Sequence, residues 1–205
     1  MSSLLKTNSI SAATGSTVTI PSGTTLDIAS GATLDTTGAT VSGLTTGKVL
    51  QVVQTVKTDT FTTTSGTLVD ITGLSASITP SATSSKILVS VSVWAGTALY
   101  VCHLALFRDS TEIGKADTAG SRPVSFLDVT GTADAINNGQ IMQSTGELLD
   151  SPATTSSVTY QIKGARRYDN SGQTLYINRS YQDRDVGGTY DQRKVSTVTL
   201  MEIGA

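Results

Sequence analysis

Between Val18 and Leu44 the chain repeats an eight-residue pattern, and no other feature restricts its possible folds so tightly. The units run Val18-Thr19-Ile20-Pro21-Ser22-Gly23, Thr25-Leu26-Asp27-Ile28-Ala29-Ser30-Gly31, Thr33-Leu34-Asp35-Thr36-Thr37-Gly38 and Thr40-Val41-Ser42-Gly43-Leu44. Apolar residues alternate with a polar one at period two, and a small-residue turn ending in glycine closes the unit. Each unit is one short strand and one turn. So few apolar side chains per unit cannot bury themselves, and the stretch needs neighbours to make a core. Eight residues are too few for one coil of a single-chain solenoid. Three identical chains, each supplying one side of a triangle, close a core on Val18, Ile20, Leu26, Ile28, Leu34 and Val41. The expectation is an intertwined homotrimeric shaft resembling a β-prism or β-helix. The other reading is a flexible Gly/Ser/Thr linker, which has no need of Val, Ile and Leu at a fixed interval.

The remainder suits one sandwich-sized domain in a chain of 205 residues. Charged residues make up only 15 % of the chain, and Thr, Val, Ile and Gly are plentiful, which favours strands over helices. The nearest helical window, Thr132 to Leu149, is broken by Asn137-Asn138-Gly139 and Gly146. Strands are expected at Val49–Val56, Thr60–Thr64, Thr67–Ile71, Gly73–Thr79, Lys86–Trp94, Leu99–Arg108, Thr111–Lys115, Val124–Thr130, Gln140–Gln143, Ser157–Arg166, Thr174–Asn178 and Lys194–Ile203. Their spacing with polar turns such as Asp109-Ser110 predicts an all-β protein with a jelly-roll-like β-sandwich. Thr45-Thr46-Gly47-Lys48 is the natural boundary, giving a stalk over 16–47 and a head over 48–205. The final strand stops two residues short of the C-terminus, so the head is expected to be terminal.

Charge and cysteine content exclude several classes. A net charge of −2 recruits neither nucleic acid nor an acidic membrane surface. The N-terminus lacks the apolar run of a secretion signal, and no stretch is apolar enough for membrane insertion. Cys102 is the single cysteine, so stability rests on packing and association. His103, the only histidine, follows Cys102 in a predicted strand, which sends the two side chains to opposite faces and rules out a dyad within one chain. There is no G-x-S-x-G elbow, phosphate-binding glycine loop or Cys/His metal cluster. Asp183-Arg184-Asp185, with Asp191 beyond, loosely matches a calcium loop but lacks the full ligand series, and Arg184 can equally pair with the acids. Neither catalysis, a metal nor a cofactor is expected.

One window differs in composition. Between Tyr160 and Lys194 lie five of the six tyrosines and seven of the fourteen basic residues. Tyrosine and arginine offer rigid, amphipathic contact surface, tyrosine faces stack on sugar rings, and arginine forks grip carboxylates or phosphates. Tyr160, Arg166, Arg167, Tyr168, Tyr181, Arg184 and Tyr190 are therefore candidates for contact with a cell-surface glycan or a neighbouring protein. The competing reading is an outward sheet face of cross-strand Arg–Asp and Tyr–Tyr pairs, or the trimer interface.

Four phrases carry a family resemblance: Thr17 to Asp27; Thr37 to Leu44 with Gly47 to Gln54; Gly73 to Val89; and Ser196 to Ile203. In these the chain resembles short trimeric fibre or spike proteins of tailed bacteriophages, particularly of marine and cyanobacterial phages. The resemblance implies a virion-surface protein made in the host cytoplasm, with its N-terminus toward the particle and its head outward. Residues 1–15, with Leu4, Leu5 and Ile10, are then expected to dock to a phage capsid or tail protein. The expected function is a non-enzymatic homotrimeric fibre that contributes to host attachment. The alternative is a decoration, cement or head-fibre protein that stabilises the capsid. A glycan-degrading spike enzyme is disfavoured, since such fibres carry a longer solenoid, and a free C1q-like or TNF-like binding module leaves the stalk without an anchor.

Overall fold

The computed structural model describes residues 48–98, 100–131, 139–166, 172–187 and 190–204. The expected shaft core (Val18, Ile20, Leu26, Ile28, Leu34, Val41) and anchor (Leu4, Leu5, Ile10) lie outside the described residues, as do the segments 1–15 and 16–47. The chain divides between Leu44 and Thr45, and all described residues belong to the second unit.

The protein is all-β. Among the described residues there is no helix, and the strands are β1 (Val49–Lys57), β2 (Phe61–Thr63), β3 (Val69–Ile78), β4 (Lys86–Gly96), β5 (Tyr100–Arg108), β6 (Thr111–Ile113), β7 (Leu127–Gly131), β8 (Met142–Asp150), β9 (Val158–Ala165), β10 (Leu175–Ile177) and β11 (Ser196–Ile203). They form two antiparallel sheets. The first runs β1-β11-β4; one edge of β4 takes β11 and then β10, which leads to β2, and the other edge takes β8. The second runs β3-β9-β5, with β7 and β6 side by side along the far edge of β5.

Strict alternation makes these strands and joins the sheets. Ile87, Val89, Val91, Val93 and Ala95 of β4 are buried, while Leu88, Ser90, Ser92 and Trp94 between them are only half-buried. Facing them across the core lie Cys102, Leu104 and Leu106 of β5 and Val158, Tyr160 and Ile162 of β9. The β5–β6 hairpin closes through Asp109-Ser110, with Asp109 at φ 52°, the left-handed conformation that Asp and Asn tolerate better than most residues. Asp109 then accepts the Thr159 amide through Oδ1 at 2.9 Å, tying the hairpin to β9.

Two elements differ from the sequence expectation. The runs Thr67–Ile71 and Gly73–Thr79 are one strand, β3, whose pairing with β9 slips between Asp70 and Ser75. Gly73 takes φ 81° in that irregularity, which lets Ile71 and Leu74 both turn into the core. Gln140–Gln143 also falls short of the full strand: β8 continues to Asp150 along the whole of β4. Its inward positions are Ser144, Gly146, Leu148 and Asp150, so no apolar alternation announces it. A Cβ on Gly146 would lie 2.9 Å from the Phe126 ring and from Leu127, so the missing side chain is replaced by packing from beside β7.

Candidate functional site

The tyrosine- and arginine-rich window separates into a core residue, a turn contact and a structured loop. Tyr160 corrects the expectation of an exposed contact residue. It occupies the inward phase of β9, is fully buried, and donates its hydroxyl to Asp150 Oδ2 at 2.7 Å. Burial, and then that bond to a carboxylate, push the phenol far above its ordinary pKa. Arg108 grips the same carboxylate at 2.9 Å, so β5 and β9 of one sheet are tied to β8 of the other. Tyr160 is structural because its alternation partners Val158 and Ile162 face the core. Arg166 lies at the end of β9 and donates Nε to Thr64 O at 2.7 Å, holding the Ser65-Gly66 turn. Arg167 and Tyr168 lie outside the described residues.

Tyr181, Arg184 and Tyr190 belong to the connection from β10 to β11, which is built on three buried polar residues. Asn178 sits at φ 61° and is fully buried; its amide donates to Lys57 O and Asp59 O at 2.8 and 2.9 Å and accepts from Ser196 Oγ at 2.6 Å. Its own N–H reaches Trp94 O at 2.8 Å, so the start of the connection is fixed to β1, β4 and β11 at once. Ser180 Oγ donates to the Asp191 carboxylate, whose other oxygen takes Arg184 Nε at 2.5 Å. Burial raises the Asp191 pKa, but the Ser180 and Arg184 contacts outweigh it and hold this carboxyl below its usual value. Asp183 pairs with Arg193 at 2.8 Å and Arg179 at 3.4 Å. Two of the loosely calcium-like acids, Asp183 and Asp191, are therefore occupied by arginines within the connection. Among the described residues no cluster of His, Cys, Asp or Glu is arranged to hold a metal ion.

On this frame the aromatic rings are each met by a cation or another ring. Tyr181, 38 % exposed, meets Tyr176 edge-on at 5.9 Å between centroids. Arg179 lies over Tyr176 at 4.8 Å, Arg184 over Tyr190 at 5.7 Å, and Lys194 over Trp94 at 5.0 Å. Tyr190 is 53 % exposed. Between it and β4 opens a cavity of about 440 Å³ lined by Trp94, Gly139, Gln140, Ile141, Tyr190, Gln192 and Lys194. Gly139, at φ 60°, lets the 139–141 segment approach: a Cβ there would fall 2.3 Å from Asp191 Oδ1.

Of the sequence candidates among the described residues, Tyr190 alone lines this cavity; Arg184 lies over its ring, and Tyr181 stands in a ring pair with Tyr176. Trp94, Gln140, Gln192 and Lys194 were not singled out by sequence. One signal for Trp94 was legible: the only tryptophan of the chain falls on the outward phase of β4. Elsewhere, Cys102 faces the core and His103 the outer face of the second sheet. Neither the protein-family models nor the curated proteins compared with this chain gave a match.

Proposed function

We propose that this protein is a non-enzymatic, homotrimeric short fibre or spike on the surface of a tailed-phage particle. Its N-terminus docks to a capsid or tail protein, and its head contributes to host attachment. The strand order β1-β11-β4-β8 against β3-β9-β5-β6 supports the jelly-roll-like part of this reading. The virion setting rests on the sequence resemblance.

The observation that carries the proposal is the outward face of the β1-β11-β4-β8 sheet. Register aligns Val52, Met201, Leu88 and Leu149 in one row across all four strands. Val52 is 57 % exposed and Leu149 50 %, and exposed Leu50 extends the row toward the start of β1. The next row, Gln54, Thr199, Ser90 and Glu147, bonds within itself from Gln54 to Thr199 and from Ser90 to Glu147. A nearly uncharged face with a continuous apolar row is a contact surface between proteins. The occupant in this reading is a sister head, since the repeats, taken as a shaft, hold two sister chains and continue in sequence into β1 at Val49.

The test is the mass of the full chain in solution, expected at three times 21.2 kDa by light scattering or sedimentation. A monomer at micromolar concentration overturns the trimer. Removing the protein from particles is expected to reduce adsorption; intact adsorption with fragile capsids replaces attachment by capsid decoration.

A further inference from the structure

We infer that the cavity between Trp94 and Tyr190 is a saccharide site that takes a sugar residue bearing a single carboxylate. Its biological setting rests on the attachment reading above, and it gives that reading a site and a ligand class.

Three features of the lining select a sugar. Trp94 and Tyr190 line the cavity; Lys194 and Arg184 each take one face of these rings, and a remaining aromatic face is the surface on which the C–H groups of a pyranose stack. Gln140 and Gln192 supply amide donors and acceptors that match vicinal hydroxyls. The cavity, at about 440 Å³, falls within the range of roughly 300–1,000 Å³ usual for small-molecule sites.

Charge selects the acid. Among the described residues that line the cavity, Lys194 is the only charged one. Asp191, which lies between Tyr190 and Gln192 in sequence, has its carboxylate turned to Ser180 and Arg184. Lys194 Nζ donates to the neutral Gln192 Oε1 at 2.5 Å, so a bound carboxylate exchanges an amide acceptor for an ion pair and frees Gln192 for a hydroxyl. One ammonium balances one carboxylate, whereas a phosphate monoester brings about −1.5 to −2 charges.

The position fits display. Trp94 lies six residue steps beyond Leu88 along β4, roughly 20 Å at the usual strand rise, so the cavity opens at the end of the sheet remote from Val49. The lining is also preformed: Asn178, Ser180 and Asp191 are buried beneath it with their bonds made. A single site of this size binds weakly, and three on one trimer raise the avidity.

Trp94 is the only tryptophan, so its emission reports on this cavity alone. The full chain is titrated with a uronic-acid oligosaccharide, its neutral counterpart and a sugar phosphate, to about 10 mM, a range that reaches millimolar affinity. The expected result is saturable change with the uronic acid at least tenfold tighter than with the neutral sugar. Lys194→Gln is expected to abolish that preference, and Tyr190→Ala to weaken both sugars. No saturable change, equal affinity for the neutral sugar, tighter binding of the phosphate, or indifference to both variants overturns the inference. Light scattering on the same samples separates the two readings. A trimer that ignores sugars sinks only the site; a monomer that binds them sinks only the fibre.

Discussion

The outward faces of the two sheets obey different rules. On the β3-β9-β5 sheet, Lys163 pairs with Asp70 at 2.9 Å and lies over Phe107 at 4.5 Å, Gln161 reaches Asp70 at 3.2 Å, and Ser77 bonds Thr159 at 2.8 Å. That face is a lattice of cross-strand polar pairs, comfortable in water. The other sheet sets Val52, Met201, Leu88 and Leu149 side by side with no ion pair among them. The two faces share one core and similar strands. What separates them is the residue chosen on the outward phase, and only one choice benefits from being covered.

The largest expected effect breaks that contrast at its centre. Leu88→Asp places a carboxylate in the apolar row, where a sister head would have to bury it, and at least a thousandfold loss of association is expected by sedimentation. Ser77→Asp on the opposite sheet is the control and is expected to leave the mass unchanged. Equal loss from both variants removes the distinction between the faces.

Next comes what lies beneath the apolar face. Glu202 takes the inward phase of β11 and is fully buried, accepting the Ser81 amide at 2.7 Å, the Ser81 hydroxyl at 2.6 Å and Gln51 Nε2 at 2.7 Å. Glu202→Ala leaves those donors without their acceptor and is expected to lower unfolding stability by about 3 kcal/mol in urea melts. The same carboxylate sets an acid limit. Burial raises its pKa, but the bonds from Ser81, Gln51 and Ser85 prevail and bring it down to about 2 from the ordinary 4.5. The unfolded chain therefore binds the proton more readily. The stabilisation is complete above about pH 5 and is lost as pH falls toward 2, so the melting temperature drops across that window. Glu202→Gln is expected to flatten the drop.

The smallest effect belongs to the polar face. Asp70 is largely exposed, and Asp70→Asn, which cuts its ion pair with Lys163, is expected to change stability by less than about 0.5 kcal/mol. A cost near that of Glu202→Ala would mean that the second face is also buried in the assembly.

Much of the fold was legible where alternation is strict. Lys86 to Trp94 could be assigned, phase included, because Ile87, Val89, Val91 and Val93 alternate without interruption. Lys194 to Ile203 was legible as a strand but not in phase, since Ser196 and Glu202 are among its inward residues. β8 was hidden because its inward residues, Ser144, Gly146 and Asp150, have their roles filled by partners far along the chain: Phe126 over the glycine, Arg108 and Tyr160 on the aspartate. The site was legible as a composition and not as a list. Tyrosines and arginines marked the 160–194 window, yet composition carries no phase, and it drew in the buried Tyr160 while passing over Trp94 and Lys194.

The sequence alone determined strand against helix and, where apolar residues alternate, which side of each strand faces inward, because both follow from local sterics and period-two burial. Tertiary structure alone decided that Leu88 and Leu149 join Val52 and Met201 in one row, and that Trp94, Gln140 and Lys194 meet around one cavity. Those neighbours are separated by up to about 150 residues, and only the register of strand on strand brings them together.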